Sequence, residues 1–150
     1  MNIEIRPIRA EETRGLRHSV LRPTQAPEEL VFSGDRAPET LHVGAFLDGR
    51  LVGIASVTPE ACPGDATRSA WRLQGMAVLP DVQGQGCGRL LLERGIRHVA
   101  EHGGTMLWCE GRSNVAGFYR ALGFELHGEE FIKPITGPHY IMKKTIDRLL

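Results

Sequence analysis

The stretch Val78-Leu-Pro-Asp-Val-Gln-Gly-Gln-Gly-Cys-Gly-Arg-Leu-Leu-Leu92 sets Gly84, Gly86 and Gly88 between a segment that reads as a strand and one that reads as an amphipathic helix. Glycine reaches backbone dihedrals closed to other residues and lets a ligand approach the main chain closely. The start of a helix presents N–H groups without partners and the positive end of a dipole. Together these make a cradle for a phosphate or pyrophosphate that needs no charged side chain. Two familiar phosphate loops are excluded by spacing. A P-loop ends in Gly-Lys-Ser/Thr, whereas Gly88 is followed by Arg89 and Leu90. A dinucleotide fold carries Gly-x-Gly-x-x-Gly, whereas the pattern here is Gly-x-Gly-x-Gly. A plain strand–helix connection, with glycines for tight packing, remains open on spacing alone.

Outward from this loop, hydrophobic periodicity sets the elements. Gly88 to Glu101 carries Leu91, Leu92, Ile96 and Val99 at helical spacing, and Gly103-Gly104 stops it. Arg68 to Val78 leads into the loop as a strand. Upstream, Leu41 to Leu47 and Arg50 to Val57 are strands joined by Asp48-Gly49, a tight-hairpin signal. Ile3 to Ile8 reads as an edge strand, because Pro7 cannot donate to a ladder. Glu11 to Leu21 reads as a helix with Leu16 and Val20 on one face, ended by Pro23. Gln25 to Pro38 reads as a loop with one helical turn around Glu28, and Pro59 to Asp65 as a surface turn. Downstream, Thr105 to Cys109 is a short buried strand. Ser113 is placed to cap a helix that carries Ala116, Tyr119 and Arg120 and ends at Gly123. Phe124 to Glu129 and His139 to Thr145 are closing strands. The pattern alone gives a mixed α/β protein.

The 150 residues suggest one domain, residues 1–150, large enough to bury a core. Lys plus Arg and Asp plus Glu are 18 each, so charge gives no case for nucleic acid or an anionic membrane as partner. No run approaches the roughly 18 apolar residues of a membrane span, and Met1-Asn-Ile-Glu-Ile-Arg is no signal peptide; a cytoplasmic location is expected. Cys62, Cys87 and Cys109 are odd in number and lack metal-ligand spacing, so they read as free thiols, and no metal is expected.

The phrase Gln83-x-x-Gly86-x-Gly88 resembles the acyl-CoA pyrophosphate loop of the GNAT superfamily of N-acyltransferases. About 30 residues on, Asn114-Val-Ala-Gly-Phe-Tyr-Arg-Ala-Leu-Gly-Phe124 resembles that family's second signature, Asn-x-x-Ala/Gly-x-x-Phe-Tyr-x-x-x-Gly-Phe, with the alanine displaced to Ala116. The resemblance covers at least Leu41 to Phe124. Gly128-Glu-Glu-Phe131 and Gly137-Pro-His-Tyr-Ile-Met142 are further similar to small bacterial members of the ElaA group. The resemblance implies a mixed central sheet with splayed strands, flanked by helices, in the order β-α-α-β-β-β-α-β-α-β-β. It also implies direct transfer of an acetyl group from acetyl-CoA, as cosubstrate, to a primary amine of a small molecule or peptide. The sequence leaves open whether the chain acts as a homodimer.

Residue by residue, the resemblance implies that the pyrophosphate sits on main-chain N–H groups of Gly84, Gln85, Gly86, Cys87, Gly88 and Arg89, with Gln83 at the head of the loop. The pantetheine arm would pair like a strand with Met76, Ala77 and Val78, and the Met76 N–H would stabilise the oxyanion. Asn114 would bond the CoA arm, and Tyr119 would hand a proton to the departing thiolate. Each has a structural alternative: Arg89 as a solvated helix residue, the Met76 and Val78 side chains as core, Asn114 as a cap, Tyr119 as a packed ring. The general base stays open. Some relatives use a carboxylate four residues before the Met76 position, which here is Arg72; Glu110, Glu130, His139 and His42 remain candidates. Gln25 to Pro38 and Lys133 to His139 are expected to build the acceptor pocket. A non-catalytic acyl-CoA-binding or sensing module would keep the glycine loop but would not need Tyr119.

Overall fold

The computed structural model describes residues 2–147. Asp48 and Gly49 both stand at positive φ, 51° and 82°, the geometry a two-residue hairpin needs if its turn is to follow the twist of the strands. They join β2 (Leu41–Leu47) to β3 (Arg50–Pro59). Built on that hairpin is a seven-stranded sheet in the order β1-β2-β3-β4-β5-β7-β6, with β1 (Ile3–Ile8), β4 (Ala70–Val78), β5 (Met106–Arg112), β6 (Glu125–Lys133) and β7 (Gly137–Thr145). β4 and β5 are parallel; every other neighbouring pair is antiparallel. β1 lies at the sheet's edge, where the missing N–H of Pro7 costs no ladder bond.

Two helices cover one face. In α2 (Cys87–Glu101), Leu91, Leu92, Gly95 and Val99 are buried. Each of the three large side chains gains about 1.5–3 kcal/mol from leaving water. At Gly95 an added Cβ would stand 3.1 Å from Val57 Cγ1, so the bare glycine lets the helix settle closely on β3. The second helix, α3 (Ala116–Ala121), ends at Gly123, whose φ of 94° supplies the left-handed stop. On the opposite face, α1 (Arg14–Leu16) lies between a 3-10 turn, Ala10–Thr13, and a π turn, Arg17–Leu21. Its Leu16 packs with Ile54 of β3 and Ala77 of β4. No helix among the described residues is long and apolar enough to cross a membrane.

Several elements differ from the sequence reading. The expected helix from Glu11 to Leu21 is helical but changes pitch, and the Arg22 N–H reaches back to the Arg17 carbonyl at 2.9 Å. β5 continues past Cys109 to Arg112 because β7 pairs with it throughout, Glu110 with Ile141 and Arg112 with His139. β6 likewise runs on to Lys133, past a register shift between His127 and Phe131 that brackets Gly128 (φ 80°). Ser113 is not a cap; its hydroxyl donates to the Glu130 carboxylate at 2.7 Å. The helical turn expected around Glu28 is a 3-10 turn at Pro27–Glu29.

The turn of α1 toward the sheet places a charge in the interior. Arg17 is fully buried and donates to both Asp35 carboxylate oxygens (2.7 and 2.9 Å) and to the Leu30 carbonyl (2.9 Å). Its guanidinium lies 4.0 Å from the centre of the Phe32 ring. His42 completes the cluster: one ring nitrogen contacts the Asp35 carbonyl at 2.9 Å, the other the Ser56 hydroxyl at 2.7 Å. Burial alone would raise the Asp35 carboxyl, but the Arg17 and Phe32 hydrogen bonds outweigh it and hold the group below the usual carboxylate range.

Asp35→Asn should therefore destabilise the fold by about 3–5 kcal/mol, the cost of leaving a buried cation without its partner, read as a lower urea midpoint with little change in slope. Because the folded carboxyl titrates below the unfolded one, the pair's contribution is fully present above the ordinary carboxylate range and is lost as pH falls from that range through the lowered folded value. The stability difference between wild type and Asp35→Asn should shrink on acidification; a difference independent of pH would show that the ion pair is not its source.

Candidate active site

The parallel pair of β4 and β5 is short. Ala70, Trp71 and Arg72 face Met106, Leu107 and Trp108, and beyond these the strands share no partner. They part like the arms of a V, leaving one edge of Leu73–Val78 unpaired. On its other edge β4 bulges: Ile54 faces Ala77 and Ser56 faces Gln74, so Gly75 and Met76 together stand opposite Ala55. Gly75 has a φ of 65°, a conformation that glycine takes without strain. Behind it stands the buried arginine; an added Cβ at Gly75 would lie 3.2 Å from Arg17 Nε and 3.3 Å from the Phe32 ring.

The V opens into a cleft of about 590 Å³. Met76, Val78 and Gln83 line it from the β4 side, Cys109 to Arg112 from β5, and Asn114 and Tyr119 from the segment after β5. Leu21, Arg22 and Val31 to Ser33 close it from the α1 side, and Lys133, Thr136 and His139 from the β6–β7 hairpin. Parts of both segments expected to form an acceptor pocket thus border it. Ala77 points the other way, into the cluster with Leu16.

At the cleft's rim the chain passes through the 3-10 turn Pro80–Val82 into the glycine loop and α2. Gly84 and Gly86 have φ of 80° and 91°, and an added Cβ at either would meet nothing within 4 Å. Their conformation therefore does not serve packing inside the protein. No side chain caps α2. Among the described residues, the N–H groups from Gly84 to Arg89 make none of the chain's turn, loop or cap hydrogen bonds. Gly88 differs: an added Cβ would stand 3.1 Å from the Phe118 ring, so this glycine answers a packing need. Cys87 is the first residue of α2, and its side chain is buried in the core. Arg89 pairs with Glu93 at 2.9 Å, both exposed, as a solvated helix pair. The Gln83 side chain donates to the Val78 carbonyl at 3.0 Å and secures the end of β4.

Tyr119 is buried, with edge-to-face contacts to Phe118 (5.1 Å) and Phe124 (5.5 Å). Gly111 makes room chiefly for Met142, whose Cε an added Cβ would overlap, and secondarily for the Tyr119 ring, which it would meet at 3.3 Å. Burial pushes the Tyr119 phenol well above its usual range, so it is a neutral donor at physiological pH. The Asn114 side chain is exposed at the mouth and caps no helix. Cys109 is pushed up to about 12 by burial, and burial also raises Cys62 and Cys87. All three are free thiols, and none is poised as a thiolate nucleophile.

The four candidate bases separate clearly. His42 belongs to the cluster around Arg17, and Glu130 is held by Ser113 outside the cleft wall. Glu110 lies on the wall but bonds Lys133 at 2.7 Å, with Arg72 at 3.5 Å. Although burial opposes ionisation, Lys133 and Arg72 hold its carboxyl below the ordinary range. His139 also lies on the wall, and its Nδ1 is 2.7 Å from the Gly137 carbonyl. A carbonyl only accepts, so Nδ1 carries a proton, and in the neutral ring the lone pair falls to Nε2. The sequence reading missed Arg22 and Arg112 on the wall. The alternation Glu110-x-Arg112, which puts both on one face of a strand, was the available signal for Arg112.

A burial this deep has an optical consequence. Up to about pH 11, above the ordinary tyrosine range, the phenolate absorbance of folded wild type and of Tyr119→Phe should titrate alike. Loss of one tyrosine's signal in the variant over that range would show a ring open to water.

The model of the acetyltransferase (GNAT) family matches residues 4–124. The "Uncharacterized N-acetyltransferase YitI" of Bacillus subtilis (strain 168) is 38% identical over 144 residues, spanning 96% of this chain and 97% of its own. Among solved structures, Escherichia coli ElaA superposes with a TM-score of 0.76 at 18% identity, covering 95% of this chain and 99% of its own. An aminoglycoside 6'-N-acetyltransferase complexed with coenzyme A superposes with a TM-score of 0.72 at 18% identity, covering 98% and 99%.

Proposed function

The chain belongs to the acetyltransferase (GNAT) family, and from that membership we propose that it is an acetyl-CoA-dependent N-acetyltransferase acting on a primary amine by direct transfer. The observation that carries this reading is the start of α2. There, unpaired N–H groups follow two glycines whose positive φ has no packing cause, beside a cleft where two parallel strands part. Such a terminus suits a pyrophosphate, and a structurally similar acetyltransferase is complexed with coenzyme A. In this reading, the main chain from Gly84 to Arg89 holds the phosphates and the free edge of Met76 to Val78 takes the pantetheine arm. Asn114 bonds that arm at the cleft mouth. The side chains of Gln83, Cys87 and Arg89 contribute little, since each is engaged elsewhere.

Acetyl-CoA supplies an activated acetyl thioester. Met76, which the bulge leaves without a register partner on β3, offers its N–H to the oxyanion that forms when the amine attacks. Tyr119, neutral and buried, gives its proton to the departing thiolate. His139 Nε2 is the base on the cleft wall left free to relieve the amine of its proton, since Glu110 is tied to Lys133. Direct transfer is favoured over an acetyl-cysteine intermediate because the Cys109 thiol stays protonated.

Coenzyme A should bind with micromolar-range affinity and raise the melting temperature by mass action; no response at millimolar CoA would overturn the reading. Gly86→Val should keep the fold and lose CoA binding, because its branched side chain opposes the left-handed backbone and fills the open side of the loop. Tyr119→Phe should keep CoA affinity while kcat falls by roughly 10²-fold, measured as thiol release with any accepted amine. An unchanged kcat would return Tyr119 to a packing role.

A further inference from the structure

The wall of the cleft is not neutral, although the chain is. Arg22, Arg72, Arg112 and Lys133 line it against a single carboxylate, Glu110. Two of these cations are accounted for. Arg72 pairs with Glu60 at 3.0 Å and Glu110 at 3.5 Å, and Lys133 with Glu110 at 2.7 Å. The other two have no carboxylate partner among the described residues. Arg112 reaches from β5 to donate to the Leu21 carbonyl at 3.0 Å, and Arg22, the next residue along, donates to the Gln25 side chain at 3.2 Å. Both guanidinium groups thus line the cleft by the end of the π turn, each held only by a neutral acceptor. Also on the wall, in the turn between β6 and β7, the buried Thr136 hydroxyl has no partner among the described residues. Buried polar groups are ordinarily satisfied, so an orphan on a cleft wall calls for one. No residue from Gly84 to Arg89 lines this cleft, which sets the arginines apart from the start of α2.

We propose that the cleft takes an acceptor amine that also bears an anionic group, a carboxylate or a phosphate, gripped by Arg22 and Arg112, and that it disfavours polycationic amines. The inference rests on the acetyltransferase reading for the amine's fate, but not for the binding itself. Guanidinium forks match both oxyanions in shape and charge. The amine end meets Glu110 and His139 on the same wall. A polyamine would bring further positive charge against four cations served by two carboxylates, Glu60 and Glu110.

The test is calorimetric titration of the CoA-loaded protein with matched probes: O-phosphoethanolamine against ethanolamine, and phenylalanine against phenethylamine, with spermidine as the polycation. Initial acetylation rates are measured on the same five. At least one anionic probe should bind about tenfold or more tightly than its partner and than spermidine, and which pair responds tells phosphate from carboxylate. Arg112→Gln and Arg22→Gln should each erase most of that preference with CoA affinity unchanged and melting temperature near wild type. Equal affinities within both pairs, no binding of either anionic probe, or a preference for spermidine would overturn the inference. So would variants that weaken CoA and leave the preference intact, since the arginines would then serve the phosphates of CoA. Selective binding with no acetylation would leave the anion subsite standing and remove the acetyltransferase reading; acetylation without selectivity would do the reverse.

Discussion

The buried pair of Arg17 and Asp35 is the interaction on which the site depends. Both groups are withdrawn from water, and the hydrogen bonds around them join four parts of the chain: the end of α1, the loop from Leu30 to Asp35, His42 on β2 and Ser56 on β3. A buried ion pair is seldom a net source of stability, because desolvation of two charges offsets their attraction. What it supplies here is geometry. A guanidinium can satisfy several acceptors only when all of them stand in the plane it dictates. That requirement sets α1 and the Leu30 to Asp35 loop against the sheet at one height, and this loop together with the end of α1 forms one side of the cleft.

The same arginine bears on the other side. Its Nε lies against Gly75, where a side chain would intrude, and Gly75 is the residue that bulges β4. The bulge and the early parting of β4 from β5 are separate departures from a regular sheet, but they fall on the same few residues. A bulge frees main-chain groups on one edge of β4, and the divergence frees them on the other. An unpaired strand edge inside a protein is costly unless something bonds it. A bare edge beside an open cleft therefore fits a ligand that completes the sheet better than it fits a defect of folding.

How much of this could be read from the sequence follows from whether each signal is local. The hairpin at Asp48-Gly49, the stop at Gly123, the periodicity of α2 and the glycine loop are local demands, and the structure meets them. Local reading is incomplete where one residue can answer two needs. Gly88, whose main-chain N–H belongs to the proposed cradle, also makes room for Phe118, and the Arg89 side chain sits with Glu93 in solvent; Ser113 looked like a cap but bonds Glu130. It fell short where partners are distant. Arg17 and Asp35 are 18 residues apart, and nothing in the helix pattern around Leu16 and Val20 says that an arginine turns inward. Glu110 and Lys133, 23 apart, meet only because β7 lies between β5 and β6. The divergence of β4 and β5 was expected from resemblance alone, since no residue in either strand announces where pairing stops.

These two kinds of information divide the site. The half proposed for the cofactor is made of main chain, so its demands reduce to glycines, a helix start and a strand edge. Such demands tolerate change in almost every side chain around them, and for that reason they are legible from a single sequence. The half proposed for the acceptor is made of side chains from three separate segments: the end of α1 with its following loop, the far end of β5, and the β6–β7 hairpin. Their charges are set against each other by the fold, as Lys133 is against Glu110. A substitution at Arg22, Lys133 or His139 can thus alter what the cleft accepts without disturbing the glycine loop or the bulge beneath it. Fold and cofactor chemistry can stay fixed while acceptor preference drifts, and that preference is recovered only by finding which charges in the folded cleft remain without a partner.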